Sequence, residues 1–562
     1  MKEILDIGKT DEFIKKVMSD KNLELEYVYG NKEYEYKLKN MNERDVHKHR
    51  NHNIVIINKD VFIKCLDYCK GNYAFIDNIT DLDISQSDKD VRATISGLYN
   101  IKKYCKSDDL NMCEAKYILK KNIQEGRYKN NEYNYRLNLK SEISINNESP
   151  EIQDFLEGYK NKTKTYRYKR RFSFITDDML YRIDLTGIKM NSDKTFKSSK
   201  LLESEEKYEI EIEYIGNMMC NKRINISSFK NGDNSHIKKD NTYMDSKSFS
   251  MKTPENSIEP LNDSINIKEL YVDINIKDII DKFEDIVYKI NKVIYETEYI
   301  MPMSEKNIVL DGYIKLCKKK KFMGPDLITL NRDSINSKKN GNIFKNYLVT
   351  EKADGERYLL YVNDDKHGYL INKNLVVKDS GKIFPKSNGE WLLDGEYITS
   401  DKNGKKINIY MIFDVYYATE ETLIPVHMYP FYNVKSKDNC RNNVLDGFKY
   451  LVETSENINS DILSCSIYFK EYKSGNIRLK DDISKSSKIL SESKKIWQKK
   501  DSYLYKIDGL IYLPRDLPVA GDYTGNNPSD ISGRWNYNYK WKPPEENTID
   551  FQVEINKEKN GK

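Results

Sequence analysis

The sequence lacks long apolar runs, a large excess of charge of one sign, and cysteines spaced for zinc. No apolar run approaches the length that a membrane-spanning helix needs. The net charge is only +5, from 93 basic and 88 acidic side chains, so any nucleic acid must be bound by local basic patches. Cys65-x-x-x-Cys69 has no partner pair at zinc spacing, and the scattered cysteines favour reduced, structural thiols.

The chain is instead rich in patterns that indicate several domains. Its length of 562 residues is enough for more than one large core. Apolar residues at helical spacing over 274–297 predict a long amphipathic helix that packs between two domains. The expected fold class is α+β, with an N-terminal antiparallel β-barrel. The predicted boundaries are 1–225 for the barrel domain, 226–265 for a flexible loop or linker, 266–304 for a linker helix, 305–555 for a second domain and 556–562 for a tail.

The N-terminal region is predicted to be mostly β. An opening helix is expected at Asp11–Met18, and alternating apolar and polar residues then predict strands. The predicted strands are Leu23–Tyr27, Val91–Ile95, Tyr133–Ile145, Tyr166–Ile175, Leu180–Lys189 and Tyr208–Ile215.

Acidic side chains repeat on one face of two of these strands. Because side chains alternate along a strand, Glu24 and Glu26 share one face of the first strand. A solvent-exposed sheet face is the simpler interpretation of such a pattern. Cationic side chains on the intervening strands argue against this interpretation. The last strand aligns three more glutamates, which are Glu209, Glu211 and Glu213.

Cationic side chains repeat in the same manner on the intervening strands, whose opposite faces are apolar, as at Ile183 and Leu185. If these strands close into a barrel with the charges inward, the charges make a poor core, because buried charge is costly unless it is paired or bound to metal. They make a suitable cavity for a polyphosphate and a hard divalent cation. The charged and hydroxyl-bearing positions on these strands are Arg92, Glu142, Lys169, Arg171, Arg182, Asp184 and Thr186.

A lysine-containing turn organises the second half of the chain. Lys352 precedes Asp354-Gly355 at the end of a predicted strand, and Arg357 opens the next strand. A deprotonated lysine amine can attack the α-phosphate of a nucleotide, and Gly355 would let the backbone approach that nucleotide. By itself this short pattern also fits a surface turn with a solvated lysine. Three later segments supply the carboxylates and the phosphate-binding lysines that such a site needs. They are Asp394-Gly395-Glu396, Asp508-Gly509 and Lys540-Trp541-Lys542.

From residue 321 to residue 551 these segments resemble, in order, the motifs of the covalent nucleotidyltransferases, which comprise mRNA capping guanylyltransferases and ATP-dependent polynucleotide ligases. The resemblance implies that Lys352 carries the covalent nucleotide and that Asp508 is a catalytic carboxylate. Where the family commonly has an Asp-Arg pair, this chain has Asn372-Lys373, which keeps a cation but loses bidentate contact. The implied nucleotide-binding residues are Lys352, Asp354, Arg357, Lys373, Glu396, Lys540 and Lys542.

The N-terminal pattern resembles the metal-dependent RNA 5′-triphosphatases, in which antiparallel strands form a tunnel. The resemblance implies that the γ-phosphate is removed from an RNA 5′ end. The implied metal ligands are Glu24, Glu26, Glu211 and Glu213. The implied catalytic carboxylates are Glu209, Glu211 and Asp184. The implied phosphate-binding residues are Arg92, Lys169, Arg171, Arg182 and Thr186.

A triphosphatase followed by a guanylyltransferase is the domain order of capping enzymes in large DNA viruses. We therefore expect an mRNA capping enzyme that acts on 5′-triphosphate RNA, uses Mg²⁺ or Mn²⁺ and takes GTP as its substrate. An ATP-dependent ligase with an unrelated N-terminal domain is the alternative, and a non-catalytic scaffold is the third interpretation. A cytoplasmic protein is expected, or one in the virion or viral factory if the source is viral, without membrane association.

Covalent nucleotidyltransferases of this type usually carry an oligonucleotide-binding (OB) barrel after the Lys-Trp-Lys strand. Only eleven residues follow Phe551, so we expect the C-terminal OB domain to be absent from this chain. No methyltransferase signature is found, and either module would come from a C-terminal extension or a separate chain. Without closure over the nucleotide, GMP labelling by this chain alone is expected to be slow or undetectable.

Overall fold

The structure is a computed structural model, and it describes residues 4–20, 22–30, 57–216, 275–336, 339–419, 424–432, 439–458, 464–475 and 487–546. The described residues divide into two compact units, with the boundary in the chain between Glu296 and Thr297. The predicted linker at 226–265 and the predicted tail at 556–562 lie outside the described residues. Among the described helices, none is long and apolar enough to cross a membrane.

The first unit is built on a closed antiparallel barrel. Its strands are β1 (Leu23–Tyr29), β2 (Ala74–Ser85), β3 (Val91–Ser96), β4 (Ala115–Asn130), β5 (Tyr135–Ile145), β6 (Lys164–Ile175), β7 (Tyr181–Asp193) and β8 (Lys207–Tyr214). Around the barrel the order is β1-β5-β4-β3-β2-β6-β7-β8, and β8 pairs with β1 to close it. The described helices of this unit are α1 (Ile7–Ser19), α2 (Lys59–Asn72), α3 (Leu98–Ser107), α4 (Pro150–Leu156), α5 (Phe196–Ser199) and α6 (Ile276–Tyr295).

The barrel turns its apolar faces outward, where helices cover them. Tyr27 of β1 and Tyr181 of β7 pack against Phe283 of α6, with ring centroids 5.9 and 5.0 Å from that of the phenylalanine. On β2, Leu82 belongs to a buried cluster that includes Phe155 of α4. Because side chains alternate along a strand, the charged residues between these apolar ones face the barrel interior. The charged interior therefore depends on the helices, which supply the apolar partners that the strands need.

The antiparallel barrel that the sequence predicts is confirmed, with differences in detail. The six predicted strands correspond to β1, β3, β5, β6, β7 and β8, and the opening helix begins earlier than expected, at Ile7. β2 and β4 were not predicted. Asp and Asn residues break up the apolar alternation of β2, and β4 shifts its register against β5 between residues 122 and 127. The long helix predicted over 274–297 is confirmed as α6, which packs on the barrel. Its predicted position between two domains stays a prediction.

The second unit contains two sheets. Its strands are β9 (Pro325–Thr329), β10 (Tyr347–Ala353), β11 (Glu356–Val362), β12 (His367–Asn372), β13 (Val377–Ile383), β14 (Trp391–Ser400), β15 (Lys406–Ala418), β16 (Glu456–Asn457), β17 (Ser466–Phe469), β18 (Lys473–Ser474), β19 (Ile507–Pro514) and β20 (Gly533–Trp541). One sheet has the order β18-β10-β19-β20-β9 and the other has the order β16-β13-β12-β11-β14-β15-β17. The described helices are α7 (Met303–Cys317), α8 (Arg441–Glu453) and α9 (Ile489–Gln498).

The Asp354-Gly355 turn is where the chain passes from one sheet to the other, because β10 and β11 belong to different sheets. A Cβ atom at Gly355 would lie 2.7 Å from the carbonyl oxygen of Tyr397, which is on β14. The glycine is therefore required where the turn packs on β14. Close approach of a nucleotide to Gly355 stays a prediction.

A buried ion pair fastens α8 to the larger sheet. Arg441 is fully buried, and its Nε donates a 2.7 Å hydrogen bond to Asp414 of β15. Its Nη1 also donates to the carbonyl oxygens of Tyr429 and Leu517, at 2.6 and 3.3 Å. Burial raises the pKa of Asp414, although the arginine opposes that shift. Removing one partner of such a pair leaves the other charge buried and unpaired.

We expect Arg441→Leu to lower the free energy of unfolding of the second unit by ~3–5 kcal/mol, because Asp414 loses its counter-charge. All 4 tryptophans lie in this unit, so tryptophan fluorescence during denaturant unfolding follows it selectively. Adding Asp414→Asn to the first substitution should restore part of the lost stability. Wild-type stability for the single variant would show that the ion pair does not hold α8 in place.

Candidate active sites

The glutamates of the barrel lie on neighbouring strands with their side chains facing the interior. Glu26 of β1 is directly opposite Glu213 of β8 in the strand register. Glu211 is opposite Asp184 of β7, and Glu209 is opposite Thr186. The structure therefore brings the predicted acidic strands together at the seam where the barrel closes. Glu24 lies two residues before Glu26 on the same face of β1.

Crowding and burial change the acidity of these carboxyl groups. Burial raises the pKa of Glu24 to about 7, and the charges of Glu142 and Glu26 add to the effect. Burial likewise raises the pKa of Glu211 to about 7, with Glu26 and Glu209 as further causes. The pKa of Glu213 rises to about 8 through burial, against the attraction of Arg182. Negative charge is therefore in excess at this seam.

The donor set fits a hard divalent cation, because it consists of carboxylate oxygens whose repulsion a cation would relieve. Three of the glutamates already have cationic partners, since Lys140 contacts Glu26, Arg182 contacts Glu213 and Arg167 contacts Glu209. Among the described residues, neither Glu24 nor Glu211 forms an ion pair. No three carboxylate, imidazole or thiol groups of the described residues converge as a ready-made metal cluster. A cation would therefore have to draw these side chains together.

The predicted cations of the barrel are held by interior carboxylates. Lys169 Nζ is 2.6 Å from Asp83 Oδ2, and Arg92 Nη2 is 3.1 Å from Glu142 Oε2. Arg171 lies 3.5 Å from Asp184, which also accepts a hydrogen bond from Ser173. Sequence reasoning missed Asp83, because it lies on the unpredicted strand β2. Further cations on the interior faces that the sequence analysis did not select are Lys120, bound to Glu142, and Arg167, bound to Glu209.

In the second unit, Lys352 and Lys542 share one carboxylate. Lys352 Nζ donates hydrogen bonds of 2.9 and 3.1 Å to the two oxygens of Asp508, and Lys542 Nζ lies 2.6 Å from Asp508 Oδ2. Burial alone would raise the pKa of Asp508, but the hydrogen bonds and charges of Lys542 and Lys352 hold it below its usual range. The predicted nucleophile, carboxylate and late lysine therefore form one cluster.

A β-bulge creates this cluster. On β10, Lys352 pairs with Gly509 and Ala353 pairs with Ile507, so Asp508 is the extra residue of β19. A bulge of this kind redirects the side chain of its extra residue. The adjacent glycine is needed for close packing, because a Cβ atom at Gly509 would lie 2.0 Å from the carbonyl oxygen of Trp541. The Asp-Gly sequence is thus explained by the geometry of the strands.

Arg357 is anchored within the unit. Its Nε donates a 2.9 Å hydrogen bond to Asp394 and its Nη2 contacts the other oxygen of the same carboxylate. Nη1 donates to the carbonyl oxygen of Pro325 at 2.8 Å, and Tyr416 donates to Asp394 as well. The guanidinium lies 5.4 Å from the ring centroid of Phe322. A contact between Arg357 and nucleotide therefore stays a prediction, and its visible role is to hold β11 to β14.

The other predicted nucleotide-binding residues have different neighbours. Glu396 lies opposite Arg357 in the register, and burial raises its pKa while Lys470 and Lys352 oppose the shift. Asp354 lies 3.5 Å from Lys506, and Lys373 lies 2.7 Å from Asp326. Lys540 pairs with Ile511 of β19 in the register. Among the described residues Lys540 forms no ion pair.

One buried lysine beside this site was missed. Lys470 is almost fully buried, and its Nζ donates a 2.9 Å hydrogen bond to the carbonyl oxygen of Glu351, the residue before the predicted nucleophile. It also lies 5.6 Å from the ring centroid of Phe413. The sequence Phe469-Lys470-Glu471 has no feature that distinguishes this lysine from an exposed one. Only the packing of the second unit reveals it.

Two family models match this chain. One is described as the catalytic domain of mRNA capping enzyme and matches residues 300–543, and the other is described as the beta chain of mRNA capping enzyme and matches residues 128–245. The chain carries mRNA capping enzyme domains. The first match overlaps the predicted second domain at 305–555, and the second match overlaps the predicted barrel domain at 1–225 and part of the predicted linker at 226–265. The predicted domain boundaries stay predictions.

Curated relatives carry the same description. A probable mRNA-capping enzyme of Acanthamoeba polyphaga mimivirus is 27% identical over 324 residues, which cover 52% of this chain and 26% of the relative. An mRNA-capping enzyme of Caenorhabditis elegans is 27% identical over 266 residues, which cover 45% of this chain and 37% of the relative. The chain thus spans between about a quarter and about two fifths of the length of these relatives.

A solved structure of a mimivirus capping enzyme triphosphatase is also similar. It is 17% identical, has a TM-score of 0.27, and the similarity covers 40% of this chain and 92% of that one. The assignment of the barrel rests on its own strand pairing.

The raised pKa of Glu211 predicts a test of the metal site. A carboxyl group whose pKa is higher in the folded state favours folding at low pH, and that contribution is lost as the pH rises from about 4.5 to about 7. At pH 8 without metal, Glu211→Gln should therefore raise the unfolding temperature by ~2–5 °C, and the difference should shrink at pH 5. Added Mn²⁺ should stabilise the wild type more than this variant.

The matched control is Glu205→Gln, because Glu205 is exposed and lies outside the charged interior face. This substitution should leave both the unfolding temperature and the effect of Mn²⁺ unchanged. Equal stabilisation of wild type and Glu211→Gln by Mn²⁺ would exclude Glu211 from the metal site.

Proposed function

We propose that this chain performs two steps of mRNA 5′ capping, with removal of the γ-phosphate from 5′-triphosphate RNA in the barrel and transfer of GMP from GTP in the second unit. The observation that carries the proposal is the cluster of Lys352, Asp508 and Lys542 within the region that matches the capping enzyme catalytic domain. The charged barrel interior supports the first step. The proposed metal is Mg²⁺ or Mn²⁺.

In the proposed transfer, the deprotonated amine of Lys352 attacks the α-phosphorus of GTP. A nitrogen–phosphorus bond forms, the bond from the α-phosphorus to the bridging oxygen breaks, and pyrophosphate leaves. Asp508 orients the amine through its hydrogen bonds and is positioned to accept the proton that the nitrogen loses. Lys542 and Lys540 supply positive charge for the α-phosphate oxygens. The terminal oxygen of the RNA 5′-diphosphate then displaces Lys352, which regains a proton.

In the proposed hydrolysis, the interior cations hold the triphosphate and a carboxylate orients the attacking water. Lys169, Arg171 and Arg182 offer donors to the phosphate oxygens. Asp184 and Glu211, which are opposite each other in the register, are positioned to orient the water that attacks the γ-phosphorus. A divalent cation held by Glu24, Glu26, Glu211 and Glu213 would stabilise negative charge on the γ-phosphate. The products are inorganic phosphate and an RNA 5′-diphosphate.

The ligase alternative is not favoured, because the matching family models and the curated relatives are described as capping enzymes. We also propose that an OB barrel or a methyltransferase module, on an extension or on a separate chain, works with these two domains. The proposed location is the cytoplasm, or the virion or viral factory for a viral source. The similarity to a mimivirus protein supports a viral source.

Lys352→Arg should abolish the lysyl–GMP adduct, because the guanidinium can keep the contact with Asp508 but is not a nucleophile at neutral pH. The measurement is incubation with labelled GTP for hours, followed by denaturing electrophoresis. Lys345→Arg, at an exposed lysine of the same unit, is the control and should label like the wild type. Labelling of the Lys352 variant would refute the assignment, and wild-type labelling by ATP in place of GTP would favour a ligase.

The two activities should be separable by substitution in the barrel. Glu24→Gln, Glu26→Gln or Glu213→Gln should lower metal-dependent phosphate release from triphosphate-ended RNA by about 100-fold, because each removes a proposed metal ligand. GMP labelling by the same preparations should persist, and Lys352→Arg should release phosphate normally. Loss of both activities in a variant with a normal circular dichroism spectrum would argue against two separate sites.

A further inference from the structure

Lysines from two distant segments meet on one surface of the second unit. The β14–β15 turn is fastened to the segment after α9, because Lys402 Nζ donates a 2.6 Å hydrogen bond to the carbonyl oxygen of Asp501. The backbone nitrogen of Lys402 also donates to the carbonyl oxygen of Leu504, at 3.1 Å. We name this the lysine surface, and its residues are Lys402, Lys405, Lys494, Lys499 and Lys500.

The charges of the lysine surface are available to a partner. All of its lysines are exposed, and none forms an ion pair with a residue that the structure describes. Neighbouring Lys495, in contrast, is neutralised by Glu492 at 2.7 Å. Five cations that form no ion pair with a described residue repel one another and favour a bound polyanion.

Aromatic rings lie among these lysines. Lys500 Nζ is 5.0 Å from the ring centroid of Trp497, which is partly exposed. Tyr503 is also partly exposed and follows Lys500 by three residues in the chain. Cations interleaved with aromatic faces are the combination that binds single-stranded nucleic acid, because the phosphates pair with the cations and the bases stack on the rings.

The lysine surface lies one layer of side chains from the proposed GMP site. Trp497 and Tyr503 pack on a buried cluster that contains Ala353, the residue after the proposed nucleophile. Trp497 also contacts Trp541, with ring centroids 5.3 Å apart, and Trp541 lies between the two lysines of the Lys540-Trp541-Lys542 segment. A nucleic-acid strand that leaves the proposed GMP site on the side of Trp497 would contact the lysine surface directly.

We propose that the lysine surface binds the single-stranded RNA that trails from the 5′ end while that end receives GMP. This inference rests on the proposed function, because it takes the acceptor to be RNA. The backbone of any sequence would suit the surface, since lysines and aromatic faces read charge and stacking without distinguishing bases. The surface would therefore favour long acceptors over short ones.

The test compares the wild-type chain with Lys405→Gln/Lys494→Gln/Lys499→Gln/Lys500→Gln. The ligand is a 20-nucleotide RNA with a 5′-hydroxyl end, which offers no terminal phosphates to the barrel. The variant should bind this RNA at least ~10-fold more weakly at low salt, and the slope of log affinity against log salt should fall by ~2–3. A 4-nucleotide RNA should bind the two proteins with similar affinity.

The matched control is Lys318→Gln/Lys319→Gln/Lys345→Gln/Lys386→Gln, which removes four exposed lysines of the same unit that also lack ion pairs with described residues. Unchanged RNA binding by the first variant, or an equal loss by the control, would overturn the proposal. The proposal would also be overturned if a phosphorylated acidic peptide of the same charge bound the wild type as tightly as the RNA does. GTP labelling of the same proteins tests the proposed function separately, because none of these lysines belongs to the GMP site.

Discussion

A charged side chain that leaves water needs an opposite charge or hydrogen bonds, because its desolvation costs several kcal/mol. This requirement governs both units. In the barrel, Glu142 is held between Arg92 and Lys120, and these two cations keep its pKa below the usual range despite burial. In the second unit, Arg357 and Arg441 are each anchored to a buried aspartate. Charges can line these interiors because these cations have carboxylates beside them.

The exceptions to this pairing lie at the two proposed sites. Glu24 and Glu211 have no ion pair with a described residue, and burial raises the pKa of each to about 7. Asp508 is in the opposite situation, since two lysines compete for its single carboxylate. A metal would balance the first site and a nucleotide phosphate would balance the second. The first unit thus has an excess of carboxylates at its proposed site, and the second unit has an excess of lysines at its own. These opposite excesses suit the two proposed reactions.

Sequence patterns predicted the barrel well wherever alternation was clear, and failed where it was broken. β2 was missed because Asp and Asn residues interrupt its apolar positions, and Asp83, the partner of Lys169, was missed with it. Lys352 and its predicted partners were found because their motifs follow one another along the chain in the order of the family. Lys470, which donates to the carbonyl oxygen beside the proposed nucleophile, was not found, because nothing local distinguishes a buried lysine from an exposed one.

The sequence by itself determined which residues share a strand face, because side-chain alternation is a local property of the backbone. It also determined the order of the motifs from Lys352 to Lys542, and through them the family. Only the tertiary structure decided which face of each barrel strand points inward, because that depends on helices elsewhere in the chain. It also decided that Asp508 reaches Lys352 and that Arg357 is anchored to Asp394, because the bulge and the strand register bring together residues far apart in the sequence.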